Sequence, residues 1–237
     1  MDTDHRPPVD RLTGLTTAHV ADACLRAGVA VRCAPAALRP VLPGRRLAGP
    51  VRPARHAGSV DVFLEAIDRA SPGDVLVVDD GGRTDRACVG DLVVREARAA
   101  GLAGLVVWGL HRDTGDLAAV GLPVFSLGAV PTGPLELDPR PAGALDAARV
   151  GAWTVDAGDV VLADDDGVLF VPADRVDELA GLAGAIRDTE RRQADRIRGG
   201  ETLRTQLRFD GYLSARAADP TVTFRAHLRA VGGAIEE

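Results

Sequence analysis

Apolar positions along the chain follow two periods, and the switches between them mark out the elements. "LTTAHVADACLRAG" (15–28) has helical spacing, with a threonine to cap it and Gly28 to end it. Residues 29–58 are rich in Pro, Gly and Arg and predict short strands joined by turns. In "SVDVFLEAIDRA", Val62, Phe63, Ala66 and Ile67 share one helical face, with Ser59 as the cap. "VLVVDD" (75–80) is a run of β-formers and predicts a buried strand. A Gly-bounded loop, "GGRTDRACVG", leads to a helix over about 92–100. A second buried strand, "LVVWGL", follows, and "LAAVGLPVFSLG" gives a short helix and a third strand. Strand and helix therefore alternate over 71–128, the pattern of an α/β domain.

From residue 150 the period becomes that of hairpins. "VGAWTVDAGDVVLADDDGVLFVP" predicts three strands, turning at Gly158-Asp159 and Asp166-Gly167. "DDDGV" lacks the alternating ligands and terminal Glu of a calcium loop and is assigned to a hairpin turn. A long helix over about 173–199 and a less regular tail with Phe209, Tyr212 and Phe224 complete the chain, while residues 1–10 are expected to be a loose tail.

Composition narrows the chemistry. With 237 residues the chain can bury a large core. Its net charge of −6, without a basic block, argues against nucleic acid as a partner. No apolar run reaches membrane-spanning length, and the acidic, Pro-rich start does not resemble a signal peptide, so a cytoplasmic location is expected. All basic residues are arginine. The absence of lysine excludes Schiff-base aldolases, pyridoxal-phosphate enzymes and Walker-type phosphate loops. Cys24, Cys33 and Cys88 form no CxxC pair and are expected to be small buried residues in a reducing compartment. The histidines show neither HExxH nor HxH spacing, which argues against a zinc site.

The candidate chemistry lies in "GDLVVREARAAGLAGLVVWGLHRD" (90–113). Asp91 stands where a helix cap is expected, and capping is the commoner use of such a residue. The free N–H groups of Leu92 and Val93 at the same helix start also suit a small carboxylate. Arg112–Asp113 follows the next strand, at the carboxyl edge where α/β sheets bind ligands; a surface ion pair in a turn is the plainer alternative. A crossover between parallel strands brings Asp79, Asp80, Asp91, Arg112 and Asp113 toward one rim, a set suited to a hard divalent cation.

With "PGDVLVVDDGG", "LPVFSLGAVPTGP" and "GDVVLADDDGVLFVP", this segment resembles the RraA-like family of class II 4-hydroxy-4-methyl-2-oxoglutarate/4-carboxy-4-hydroxy-2-oxoadipate aldolases and regulators of ribonuclease E activity. The family's aldolases carry Asp, twenty intervening residues and Arg-Asp, matched here by Asp91 and Arg112–Asp113; the non-enzymatic regulators usually lack that last Asp. The resemblance implies an α/β fold with β-β-α layers of the swivelling phosphohistidine type over 10–205. Residues 206–237 would be a C-terminal extension docked on the body or on a neighbouring subunit. It implies Mg²⁺ or Mn²⁺ at Asp113, and a small-molecule 2-oxo acid bound at Gly90, Leu92, Val93 and Arg112. Arg112 and Asp91 would be catalytic, with Glu190 reaching across from a neighbouring subunit of a homotrimer or homohexamer. The implied reaction is pyruvate-releasing cleavage of a 4-hydroxy-2-oxo acid, with oxaloacetate decarboxylation beside it. The alternatives are a ribonuclease-binding regulator and an enzyme of another 2-oxo or sugar acid. Trp108 and His111 depart from the residues common in the aldolases and bear on the substrate.

Overall fold

Local chemistry sets the first helix. In the computed structural model, which describes residues 7–134 and 136–231, α1 (Thr17–Arg26) begins where the Thr16 hydroxyl accepts the His19 N–H and the His19 ring accepts the Thr16 N–H. It ends before Gly28, whose φ of +64° suits glycine. Of the expected N-terminal tail, residues 1–6 lie outside the described residues. Val9–Leu12 instead forms a 3₁₀ turn, because Leu12 is buried against the body.

The Pro-rich stretch yields β1 (Arg32–Cys33), β2 (Arg39–Pro40) and a nine-residue strand, β3 (Leu47–Arg55). Then come α2 (Asp61–Asp68), β4 (Val75–Asp79), β5 (Ala87–Val89), α3 (Asp91–Ala99), β6 (Gly104–Trp108), β7 (Leu110–His111), α4 (Thr114–Val120) and β8 (Val124–Ser126). The hairpin region gives β9 (Ala147–Val150), β10 (Trp153–Asp156), β11 (Asp159–Asp164) and β12 (Gly167–Pro172), and the long helix is α5 (Val176–Arg198). Three short helices follow: α6 (Leu203–Gln206), α7 (Phe209–Ala218) and α8 (Phe224–Val231).

Eight strands form one mixed sheet in the order β1-β12-β11-β3-β4-β6-β8-β2. The run β3-β4-β6-β8 is parallel, as the alternation over 71–128 predicts for β4, β6 and β8, and the flanking pairs are antiparallel. The sheet curls on itself: Arg39 of β2 donates to the carbonyls of Asp165 and Asp166 in the β11–β12 turn, and the Asp165 carboxylate accepts the Gly44 N–H. Strand periodicity divides β4 between two cores. Val75 and Val77 face inward with Phe125, Phe170 and the β9–β10 ribbon, whereas Leu76 and Val78 pack under α2, α3 and α4. A third core places α1 and α5 over β11 and β12.

Beyond α5, the rings of Phe209, Tyr212 and Phe224 cluster with centroids 4.9–5.7 Å apart, and Gln206 Nε2 donates to the Gln193 carbonyl of α5. Among the described residues no helix is long and apolar enough to cross a membrane. The cysteines are free thiols. Cys24 is buried as expected, but Cys33 is exposed, because its two-residue strand lies at the sheet edge.

One buried carboxylate joins the third core. Asp164 accepts both the N–H and the hydroxyl of Thr17 (2.9 and 2.7 Å) as well as the Asp166 N–H. Asp164→Ala leaves the first of these donors unpaired at the start of α1. We expect a loss of about 3 kcal/mol, measured as a lower midpoint in denaturant unfolding.

Candidate active site

The hinge of the site is a two-strand sheet too short to be read from the sequence. β5 and β7 pair in parallel, with Ala87 opposite Leu110 and Val89 opposite His111. One step further, the Arg112 N–H donates to the Val89 carbonyl (3.0 Å). The end of β5 is also the start of α3, so this pairing fixes Arg112 and Asp113 against that helix's N-terminus. Gly90, Asp91, Leu92, Val93, Arg112 and Asp113 line one cavity of about 280 Å³. All the site residues expected around the Asp…Arg-Asp motif thus share one space.

Asp91 is not the cap. Gly90 takes that position in extended conformation, and Asp91 opens the helix without a side-chain capping bond. Its carboxylate instead accepts from Arg95 Nε (2.9 Å) one turn later. The Asp91 N–H points at Asp113 Oδ2, 3.4 Å away. The N–H groups of Leu92 and Val93 have no acceptor within the helix by its geometry, so the cavity wall ends in a positive dipole.

A side chain at 90 would displace the charged ends of Arg112 and Asp113. A Cβ there would stand 2.7 Å from Asp113 Oδ2 and 3.2 Å from Arg112 Nε. Asp113 has a left-handed backbone (φ 61°, ψ 38°), tolerable for Asp but rare for most side chains, and its carbonyl accepts the Leu117 N–H of α4. Arg112 Nε lies 3.5 Å from Asp113 Oδ2. Behind them His111 is buried and engaged at both nitrogens: Nδ1 lies 2.7 Å from Ser126 Oγ and Nε2 3.0 Å from Thr114 Oγ1. It braces the turn that presents Arg112 and Asp113. Burial holds its pKa below the usual 6.5, outweighing the Gly128 hydrogen bond and the Asp113 charge, which act the other way.

The other acids of the rim are committed elsewhere. Asp79 accepts the N–H groups of Gly81 and Arg149, and Asp80 binds His56. They line an adjoining cavity of about 470 Å³ with Arg55, Arg83, Arg86 and Arg149. Glu190 does not join the cavity within the chain. It lies on α5 and pairs with His19 Nε2 (3.1 Å), half-exposed. Sequence reading misses His56 and Cys88, which line the site cavity. They lie 34 or fewer residues from Gly90 but in separate segments, with no motif to join them.

With this geometry in place, comparison with known proteins is decisive for the family. The RraA-like family (Aldolase/RraA) matches residues 17–170. The chain belongs to the RraA-like family. Protein DlpA of Legionella pneumophila is 33% identical over 137 residues, which are 58% of this chain but only 22% of DlpA. A Halalkalibacterium halodurans protein named "Putative 4-hydroxy-4-methyl-2-oxoglutarate aldolase" is 29% identical over 160 residues, covering 67% of this chain and 72% of its own length. The solved structure of Streptomyces coelicolor RraAS2, described as an unusual member of the RNase ES inhibitor RraA protein family, superposes with a TM-score of 0.69. Its identity is 27%, over 81% of this chain and 98% of that one. The α/β class of this RraA-like chain is therefore as its sequence predicts.

Two expectations follow from the packing around Asp113. Gly90→Ala should lose about 1–3 kcal/mol, whereas Gly115→Ala, inside α4 with nothing within 4 Å of its Cβ, should gain about 0.5–1 kcal/mol; chemical denaturation of both variants measures the contrast. The second concerns pH. The unfolded chain protonates His111 more readily than the folded one. Its neutral form thus contributes stability that is present above pH 6.5 and lost as pH falls through the lowered folded value. His111→Gln should flatten the fall of stability between pH 7 and pH 5, seen in unfolding free energies across that range.

Proposed function

We propose that this chain is a divalent-metal-dependent lyase that cleaves a 4-hydroxy-2-oxo acid to pyruvate and a carbonyl product, with oxaloacetate decarboxylation as a side activity. The observation that carries the reading is the meeting of Arg112, Asp113 and the N-terminus of α3 in one cavity. The aldolase name of the H. halodurans relative supports the same reaction class.

The donor chemistry suits Mg²⁺ or Mn²⁺. Asp113 presents a hard carboxylate at the cavity, and the absent side chain at Gly90 keeps room beside Oδ2. With Asp91 tied to Arg95, Asp113 would hold a cation that keeps most of its waters. Such an ion supplies Lewis-acid stabilisation of negative charge on the keto acid.

The protein's own groups would do the rest. The substrate carboxylate sits on the N–H groups of Leu92 and Val93, where the helix dipole favours it. The Arg112 guanidinium lies over the keto oxygen and stabilises the charge that grows there as the C–C bond breaks. The carboxylate of Asp91, or of Glu190 from a neighbouring copy in a homotrimer or homohexamer, would accept the hydroxyl proton as the C–C bond breaks and return a proton to the enolate carbon to give pyruvate. Decarboxylation of oxaloacetate leaves the same pyruvate enolate, so one arrangement serves both reactions. Without lysine, an imine is not an available sink for that charge.

The likeness to RraAS2 favours a second reading, a protein-binding regulator of an RNA-degrading enzyme. Purified chain with Mg²⁺ or Mn²⁺ separates the two. Pyruvate formation from oxaloacetate or a 4-hydroxy-2-oxo acid, coupled to lactate dehydrogenase, should fall roughly 10²–10³-fold in kcat/KM in Arg112→Ala. Metal-independent turnover that ignores this substitution would refute the lyase reading.

A further inference from the structure

Three side chains from separate segments meet between the two cavities: His56 and Cys88 line the site cavity, and Asp80 lines the adjoining one. His56 follows β3, Asp80 follows β4 and Cys88 lies in β5, and one ligand atom from each falls within 4.8 Å of the others. His56 Nδ1 is 2.7 Å from Asp80 Oδ1; both side chains are 1% exposed, and the imidazole stacks on Phe63. Asp80 Oδ2, by contrast, is buried with no hydrogen-bond partner among the described residues. A bare carboxylate oxygen in the interior costs on the order of 1–3 kcal/mol or more. The Cys88 thiol lies close enough to interact with the Asp80 carboxylate, but its one geometrically defined hydrogen bond goes to the Leu110 carbonyl at 3.6 Å. None of the four guanidinium groups lining the adjoining cavity forms an ion pair with Asp80 among the described residues. Gly109 keeps the intervening space clear: a Cβ there would stand 3.1 Å from Asp80 Oδ2 and 3.3 Å from Cys88 Sγ.

We propose that His56, Asp80 and Cys88 hold a borderline-soft divalent cation of the zinc type. An imidazole nitrogen, a carboxylate oxygen and a thiolate sulfur form the mixed donor set such an ion prefers, unlike the oxygen-only environment that suits Mg²⁺. Binding displaces the thiol proton to solvent. Thiolate and carboxylate then balance the two positive charges, so the buried centre is neutral and Oδ2 gains its partner. Three protein ligands leave a coordination position free, as in catalytic rather than structural sites. His56 and Cys88 line the same cavity as Arg112 and Asp113, so a ligand oxygen entering that cavity can reach the free position. The site is distinct from Asp113 and does not rest on the lyase reading. HExxH or HxH spacing does not detect such a set, because its ligands come from three separate segments rather than one helix or knuckle.

Cobalt(II) is the probe. Chelator-stripped wild-type protein should bind one equivalent of Co²⁺ with d–d bands of tetrahedral intensity and a thiolate charge-transfer band, and Zn²⁺ should displace it. The charge-transfer band should vanish in Cys88→Ser. In His56→Ala, affinity should fall at least about tenfold. Cys33→Ser, which removes an exposed thiol, and Asp113→Asn should both retain the band. Circular dichroism checks the fold of each variant, and if Cys88→Ser does not fold, the His56→Ala and Cys33→Ser pair decides. A folded wild type without the band overturns the site, as does a band lost with Cys33 or Asp113 or unchanged in His56→Ala.

Discussion

A single backbone hydrogen bond, from the Arg112 N–H to the Val89 carbonyl, holds the candidate site together. It continues the β5–β7 pairing by one residue and ties the exit of one crossover to the entrance of the helix inside it. Asp113 must then turn immediately into α4, which accounts for its left-handed backbone, and the absent side chain at Gly90 lets Asp113 Oδ2 sit against the helix start. The functional groups themselves sit at strand ends and helix starts. Their precision comes from main-chain bonds rather than from side-chain packing.

Electrostatic selection follows from the same geometry. The carboxyl ends of β4 and β6 gather several acids, yet most are engaged by different partners. Asp79 accepts two backbone N–H groups, Asp91 pairs with Arg95, and Asp80 faces His56. Asp113 is left beside Arg112 at the cavity. A rim dense in carboxylates is thereby reduced to one anionic donor next to one guanidinium and one helix dipole. Buried His111 keeps that donor aimed without adding charge of its own, because desolvation favours its neutral form.

The parts of this arrangement legible in the sequence are those governed by periodicity. Helices α1, α2, α3 and α5 and strands β4, β6, β11 and β12 follow from apolar spacing and from Gly or Thr punctuation, and the parallel β4–β6 pair follows from the crossover between them. β5 is hidden because a three-residue strand within a Gly-bounded loop carries no period, and β3 because Pro50 and Pro53 argue against a central strand. The spacing from Asp91 to Arg112–Asp113 marks the cavity, but not which residue caps the helix. Asp91 passes for the cap in sequence because Gly90 offers no side-chain oxygen to see. His56, Asp80 and Cys88 stay unlinked in sequence for a topological reason: β3 and β4 are parallel neighbours and β5 belongs to a separate short sheet, so residues far apart along the chain meet only in the fold.

The β5–β7 pairing also constrains how this segment can change over evolutionary time. An added or deleted residue in α3 would rotate the rest of that helix by about 100° and shift β6 against β4, while both ends of the interval stay pinned by the same short sheet. A length change inside α3 itself would therefore disturb the site, whereas the turn at 100–103 lies outside both helix and strand. The loop from Gly81 to Arg86, outside the pinned interval and bordering the neighbouring arginine-lined cavity, is where changes of length can be absorbed.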